Sequence, residues 1–207
     1  MKGLLIIGTG GIAKNVLDCA ERYTKIAFMT NNPNAKKIGD FPLLYEQETS
    51  IDYILENFDD VIVAVGDNKY RLCMMEQYSS CGLKIPTIIH PTAIISKYAE
   101  IDYGSIICEN GSVGPFAKVG KATIVSHKVL VSHDCKLDDG VRTSAGAIIA
   151  GRCTIGEKTW ICIGASVSTD IKIGANSVIG AGAVVLKDIP DNVLAVGIPA
   201  EIVKKYD

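Results

Sequence analysis

Between Ile95 and Val185 an aliphatic residue recurs at every sixth position. The series runs Ile95, Ile101, Ile107, Val113, Val119, Val125, Val131, Leu137, Thr143, Ile149, Ile155, Ile161, Val167, Ile173, Ile179 and Val185. Fifteen of the sixteen are Ile, Leu or Val, and only Thr143 interrupts the rule. An amphipathic helix repeats near 3.6 residues and drifts out of phase with six within a few steps. A fixed short period marks a solenoid, and a six-residue unit marks a parallel β-helix.

A second register supports this. Four residues after each aliphatic come mostly small side chains, among them Ala99, Ser105, Gly111, Ala117, Thr123, Cys135, Ala147, Cys153, Thr159 and Ala165. Strand alternation has period two, so positions i and i+4 face the same way and both sets are expected inside the coil. Directly after the aliphatic stand Gly114, Gly120, Gly156, Gly174, Gly180, Asp102 and Asp138. These types tolerate positive φ, which predicts that they turn the corners.

At 207 residues and 48% hydrophobic, the chain has room for one large or two small globular domains. A net charge of −2 and a pI near 5.9 give no electrostatic case for nucleic acid or an anionic membrane surface. The longer apolar runs, Gly3–Ile7 and Val61–Val65, are of strand length and far short of a membrane span. The start of the chain lacks the pattern of a secretory signal, and a cytoplasmic location is expected. Seven cysteines include no Cys-x-x-Cys pair, so small core thiols are expected and no metal site.

Residues 1–90 follow a different grammar. Gly3–Ile7, Ile26–Met29, Val61–Val65 and Ile85–Ile89 read as strands. Ile12, Val16, Cys19, Ala20 and Tyr23 supply an apolar helical face, and Ile51–Phe58 and Asp67–Cys81 read as further helices. Strands alternating with helices imply a small parallel α/β domain, with residues 91–207 forming the solenoid and its tail. Gly8-x-Gly10-x-x-Ala13 after the first strand fits the dinucleotide fingerprint, whose glycines let the backbone approach a pyrophosphate. The second strand ends in Thr30-Asn31-Asn32 and lacks the carboxylate that would hold an NAD ribose. That combination suits a nucleotide-sugar better than NAD, although the same glycines also make a tight turn that binds nothing.

Two histidines, His127 and His133, fall in the repeat, and His133 is followed by Asp134. An imidazole titrates near pH ~6.5, and an adjacent carboxylate can orient it as a general base. A bare His-Asp pair is also an ordinary polar corner. His127 reads as structural or as part of a rim.

The whole chain resembles the hexapeptide-repeat sugar acyltransferases of the sialic acid O-acetyltransferase (NeuD) type, especially the PglD-like N-acetyltransferases of nucleotide-linked 4-amino-sugars. The resemblance rests on the glycine turn, Gly66-Asp67-Asn68, His90-Pro91, the hexapeptide coils with His133-Asp134, and Val196-Gly197-Ile198-Pro199-Ala200. It implies an N-terminal Rossmann-like α/β domain and a left-handed parallel β-helix of three-sided, 18-residue coils, in which Cys135 and Cys153 stack. It also implies a homotrimer with active sites between subunits. His133 would be the general base and Asp134 its partner, as a sugar amine or hydroxyl attacks the thioester of acetyl-CoA directly. Backbone N–H groups would steady the oxyanion, with no metal involved. Arg142, Gly151, Ile163 and Ala181 would contact CoA. Gly8, Gly10, Gly11, Ile12, Thr30, Asn31, Val63 and Gly66 would contact the nucleotide-sugar.

The chain departs from that family at Ile12 and Ser126, where a histidine and an asparagine are usual, and at Arg142, where a CoA-side histidine is usual. Thr30-Asn31 replaces acidic residues that read the base. The expected function is N-acetylation of a nucleotide-linked 4-amino-4,6-dideoxyhexose in surface-glycan biosynthesis. The alternatives are O-acetylation of a sialic acid or related sugar, and a non-catalytic nucleotide-sugar-binding hexapeptide protein. Arg142 suits bidentate anion recognition or an exposed corner, and outward Trp160 and Phe116 suit packing at a subunit contact.

Overall fold

The computed structural model describes residues 2–206. The chain divides into two compact units, Met1–Ile88 and Ile89–Asp207, so His90 belongs to the second.

The first unit runs β1 (Gly3–Ile7), α1 (Gly11–Leu17), β2 (Lys25–Thr30), β3 (Leu43–Tyr45), α2 (Ile51–Asn57), β4 (Asp60–Val63) and α3 (Asn68–Ser80). The four strands are parallel in the order β3-β2-β1-β4. β1 is buried along its whole length, as a continuous Leu-Leu-Ile-Ile run in a covered parallel strand requires. Ser50 and Asp67 start α2 and α3 by accepting hydrogen bonds from the Tyr53 and Tyr70 N–H groups, at 3.2 and 2.7 Å.

Three local expectations differ from what forms. The helix after the glycine turn stops at Leu17, and Ala20 and Tyr23 reach the core through successive i→i−3 turns instead. The segment 85–89 is strand only at Ile88–Ile89, because Pro86 has no N–H to give a ladder. β3 lies in a stretch whose local pattern gave no strand signal, yet it pairs with β2 from Phe28↔Leu43 to Thr30↔Tyr45.

In the second unit two-residue strands stack in three parallel ladders, and each strand pairs with one 18 residues away. Face I carries Ile124–Val125, Arg142–Thr143 and Trp160–Ile161. Face II carries Leu130–Val131, Ile148–Ile149 and Ser166–Val167. Face III carries Lys118–Val119, Lys136–Leu137 and Thr154–Ile155. The second residue of each pair points inward, and these residues form a single core with the small side chains of the second register. Thr143, the break in the repeat, is fully buried and donates its hydroxyl to the Ile124 carbonyl at 3.0 Å. That bond offsets the cost of burying an unpaired hydroxyl.

Inward hydroxyls and thiols elsewhere follow one pattern. Ser105 donates to Gly120 O, Cys135 to Ala150 O, Cys153 to Ser168 O and Thr159 to Gly174 O, at 2.9, 3.0, 3.0 and 2.6 Å. Cys135 and Cys153 are thus core thiols occupying the same kind of position as serine and threonine.

The corners correct a prediction. The left-handed residues are not those directly after the aliphatic but those three after it, among them Asn110, Phe116, Asp134, Arg152 and Asp170 at φ 54, 60, 57, 61 and 63°. Gly114, Gly120, Gly156, Gly174 and Gly180 are needed for another reason: closeness of the next coil. A Cβ on Gly156 would lie 2.5 Å from the Ala175 backbone nitrogen, and one on Gly114 would lie 2.9 Å from that of His133.

After the last coil, Val193–Val196 continues face I and turns back antiparallel into Glu201–Lys205. Among the described residues no helix is long and apolar enough to cross a membrane.

Candidate active site

The corner that follows face II stacks Pro115-Phe116, His133-Asp134, Gly151-Arg152 and Thr169-Asp170, one pair per coil. Backbone bonds lock the column. Asp134 N–H donates to Pro115 O, Arg152 N–H to His133 O and Asp170 N–H to Gly151 O, each at 3.0 Å. The left-handed φ of 57° at Asp134 is tolerated by a short polar side chain and brings its carboxylate back onto the preceding imidazole. His133 Nδ1 lies 2.7 Å from Asp134 Oδ2, and both side chains are about half exposed, at 46% and 51%. With Nδ1–H donating to the carboxylate, Nε2 keeps its lone pair and can accept a proton.

Gly151 forms the floor under this imidazole. A Cβ there would sit 2.5 Å from both Cε1 and Nε2 of His133. A side chain at this position would displace the ring, whose reactive edge passes over the glycine.

The column goes on in charge. Arg152 grips Asp170 with two bonds, Nε to Oδ1 at 2.7 Å and Nη2 to Oδ2 at 2.9 Å. That pairing raises the pKa of Arg152 and lowers that of Asp170. Sequence reasoning missed both residues. Their signal was present: each stands a full coil beyond the last, counting from Asp134.

The remaining expected CoA contacts are not brought to this corner within one chain. Ile163 and Ala181 stack on the corner after face I, which also carries His127, and Gly182 N–H donates to Ile163 O at 2.9 Å. Ile163 is 59% exposed. Arg142 lies on face I opposite Trp160, its Cζ 4.4 Å from the indole centroid, while Trp160 Nε1 donates to Ser144 Oγ at 2.8 Å. Burial lowers the Arg142 pKa, and Cys162 opposes the shift. Phe116 stacks on Tyr98 with ring centroids 5.3 Å apart.

In the first unit, Gly8 adopts φ 115°, and a Cβ there would meet Ala64 O and Val65 at 2.9 Å. Gly10 and Gly11 face open space, with nothing within 4 Å of a Cβ on either, and Ile12 follows at half burial. Val63 is 1% exposed and belongs to the core, whereas Gly66 stays half-buried at the end of β4. Thr30 and Asn31 line a cavity of about 130 Å³ with Pro33, Tyr45, Gln47 and Glu48. These four partners were not singled out from the sequence, because β3 itself was not recognised. Among the described residues no group of three or more His, Cys, Asp or Glu is placed to hold a metal ion.

A hexapeptide β-helix with a hydrogen-bonded His-Asp pair on an exposed corner defines an acyltransferase of the hexapeptide-repeat class. Comparison with known proteins narrows the class. Residues 3–78 match the PglD N-terminal domain family, and residues 152–187 match the bacterial transferase hexapeptide family. The acetyltransferase domain of PglB from Neisseria gonorrhoeae, solved with acetyl coenzyme A, is 33% identical at a TM-score of 0.89, covering 98% of this chain and 99% of that one. A histidine mutant of perosamine N-acetyltransferase from Caulobacter crescentus, solved with CoA and GDP-perosamine, is 28% identical at a TM-score of 0.93, covering 99% of this chain and 98% of that one. WeeI from Acinetobacter baumannii, 24% identical, shares the fold at a TM-score of 0.89, over 98% of this chain and all of that one. The chain belongs to the hexapeptide-repeat family of PglD-like nucleotide-amino-sugar N-acetyltransferases.

Proposed function

We propose that this protein transfers the acetyl group of acetyl-CoA to the amine of a nucleotide-linked 4-amino-4,6-dideoxyhexose, with His133 as general base. The observation that carries this reading is the His133 Nδ1–Asp134 Oδ2 contact of 2.7 Å with the ring laid over Gly151. The amine nitrogen attacks the thioester carbonyl, a C–N bond forms, and Nε2 of His133 takes the surplus proton. As the C–S bond breaks, that proton passes to the CoA thiolate, leaving an amide and free CoA. Asp134 fixes the tautomer and steadies the imidazolium. The first unit holds the nucleotide-sugar, through the open backbone at Gly10 and Gly11 and through Thr30 and Asn31.

A homotrimer with shared sites fits the split of the expected CoA contacts. Ile163 and Ala181 lie on a different corner from His133, so one site uses both only if two copies meet. Exposed Leu130 and Ile148 on face II, at 40% and 44%, support such self-association. A cytoplasmic location accords with seven free cysteines.

The test is thiol release from acetyl-CoA with nucleotide-linked 4-amino-sugars, alongside His133→Ala and light scattering. Turnover that collapses in the variant supports the reading. Turnover unaffected by it, or seen only on a sialic acid hydroxyl, overturns it.

A further inference from the structure

β2 ends in Thr30-Asn31-Asn32 and brings no carboxylate to the carboxyl edge of the first unit's sheet. β3 supplies one. The Thr30↔Tyr45 register and a 3.1 Å bond from Glu46 N–H to Thr30 O set the segment after β3 beside Asn31. Gln47 and Glu48 thereby line the same cavity as Thr30 and Asn31.

The two carboxylates that follow β3 differ. Glu46 is engaged by the Tyr70 hydroxyl at 2.9 and 3.2 Å. Glu48 is exposed, and among the described residues its carboxylate has no hydrogen-bond or ion-pair partner. Its backbone is held, since Glu48 N–H donates to Tyr45 O at 3.0 Å. Its carboxylate therefore lines the cavity as an acceptor open to a ligand with N–H donors.

Position and size narrow the ligand. In parallel sheets of this kind ligands bind off the carboxyl ends of the strands. β2 lies directly beside β1, whose glycine turn donates from Gly8 N–H to Met29 O at 2.7 Å. The cavity, at about 130 Å³, is well under the roughly 300–1,000 Å³ that encloses a drug-sized ligand, so it takes one ring system rather than a nucleotide. Asn31 and Gln47 add amides that both donate and accept.

Resting on the nucleotide-sugar reading above, we propose that this cavity takes the nucleobase and that Glu48 selects guanine. A carboxylate is acceptor-only, with two oxygens side by side. Guanine presents two adjacent donors, N1–H and the N2 amino group, and satisfies both oxygens. Uracil and thymine present one imide N–H between two carbonyls, so the second carboxylate oxygen would face a lone pair. The unmatched lone pair disfavours uracil and thymine at this edge relative to guanine.

The experiment is calorimetric titration of the full chain with GDP, UDP and dTDP, for the natural protein, Glu48→Gln and Glu48→Ala. Thermal unfolding and CoA binding serve as controls on the fold. The expected result is GDP affinity about tenfold or more above UDP and dTDP, lost by about tenfold in both variants while UDP and dTDP barely move. A preference for UDP or dTDP overturns the base assignment, as does GDP affinity unmoved in both variants. If a nucleotide-linked amino-sugar is still acetylated in a His133-dependent way, the function survives that result. If none of the three diphosphates binds, the base assignment falls, and His133-dependent acetylation of a nucleotide-linked amino-sugar decides the function separately.

Discussion

The two units are built by opposite rules. Through the coil, each two-residue strand pairs with a strand 18 positions away, so one repeat states the environment of the next. In the α/β unit no such constancy exists: β1 pairs with β2 and β4, and β3 is recruited across a loop. The glycines show the difference best. Gly156 is demanded by the backbone of the next coil, whereas Gly10 and Gly11 are demanded by nothing in the protein itself. At Gly10 and Gly11 the backbone borders open space, which is where the proposed nucleotide-sugar would approach.

Substitutions can break or sharpen that contrast. The largest effect is expected at the corner. His133→Ala lowers turnover by about 10²–10⁴-fold while the melting temperature stays near that of the natural protein, because the side chain is half exposed. A collapse of the fold instead would make the corner structural. Gly156→Ala is expected to cost about 3 kcal/mol or more, since its Cβ meets backbone that cannot rotate away; denaturant unfolding reads this directly. Gly10→Ala, the matching change in the other unit, is expected within about 0.5 kcal/mol in stability while weakening nucleotide binding. Equal destabilisation at the two glycines would erase the contrast.

Asp134→Asn keeps a residue that tolerates the left-handed corner but removes the carboxylate. A loss of about tenfold or more in kcat with unchanged unfolding is expected. The smallest effect belongs to Thr143→Val, which restores the aliphatic series but removes the donor to Ile124 O. The two changes oppose each other, and the net is expected within about 1 kcal/mol by thermal unfolding. A loss far beyond that would mean the hydroxyl is part of how the coil is specified.

Much of the coil and part of its site were legible in the residues. His133 and Asp134 were singled out as the candidate base and its partner and Gly151 as a candidate CoA contact, and the three lie together at one corner. The left-handed corner position was misplaced by two residues, because glycine after the aliphatic signals either a turn or a close approach. Only the coil spacing distinguishes them. In the α/β unit, α1 was drawn too long because Ala20 and Tyr23 reach the core through turns that mimic a helical face. β3 went unseen because a three-residue edge strand carries almost no period of its own.

By itself, the sequence determined that a solenoid forms, which side chains fill it, and that a histidine and an acid sit together on it. Period, polarity and adjacency are local properties, and they survive without knowledge of the fold. The tertiary structure alone decided what meets across distance. It paired β3 with β2, brought Ala20 and Tyr23 into the core through turns, and set Glu48 in the cavity with Asn31. Those contacts depend on chain closure, and no local pattern encodes which distant residue fills the space a side chain leaves.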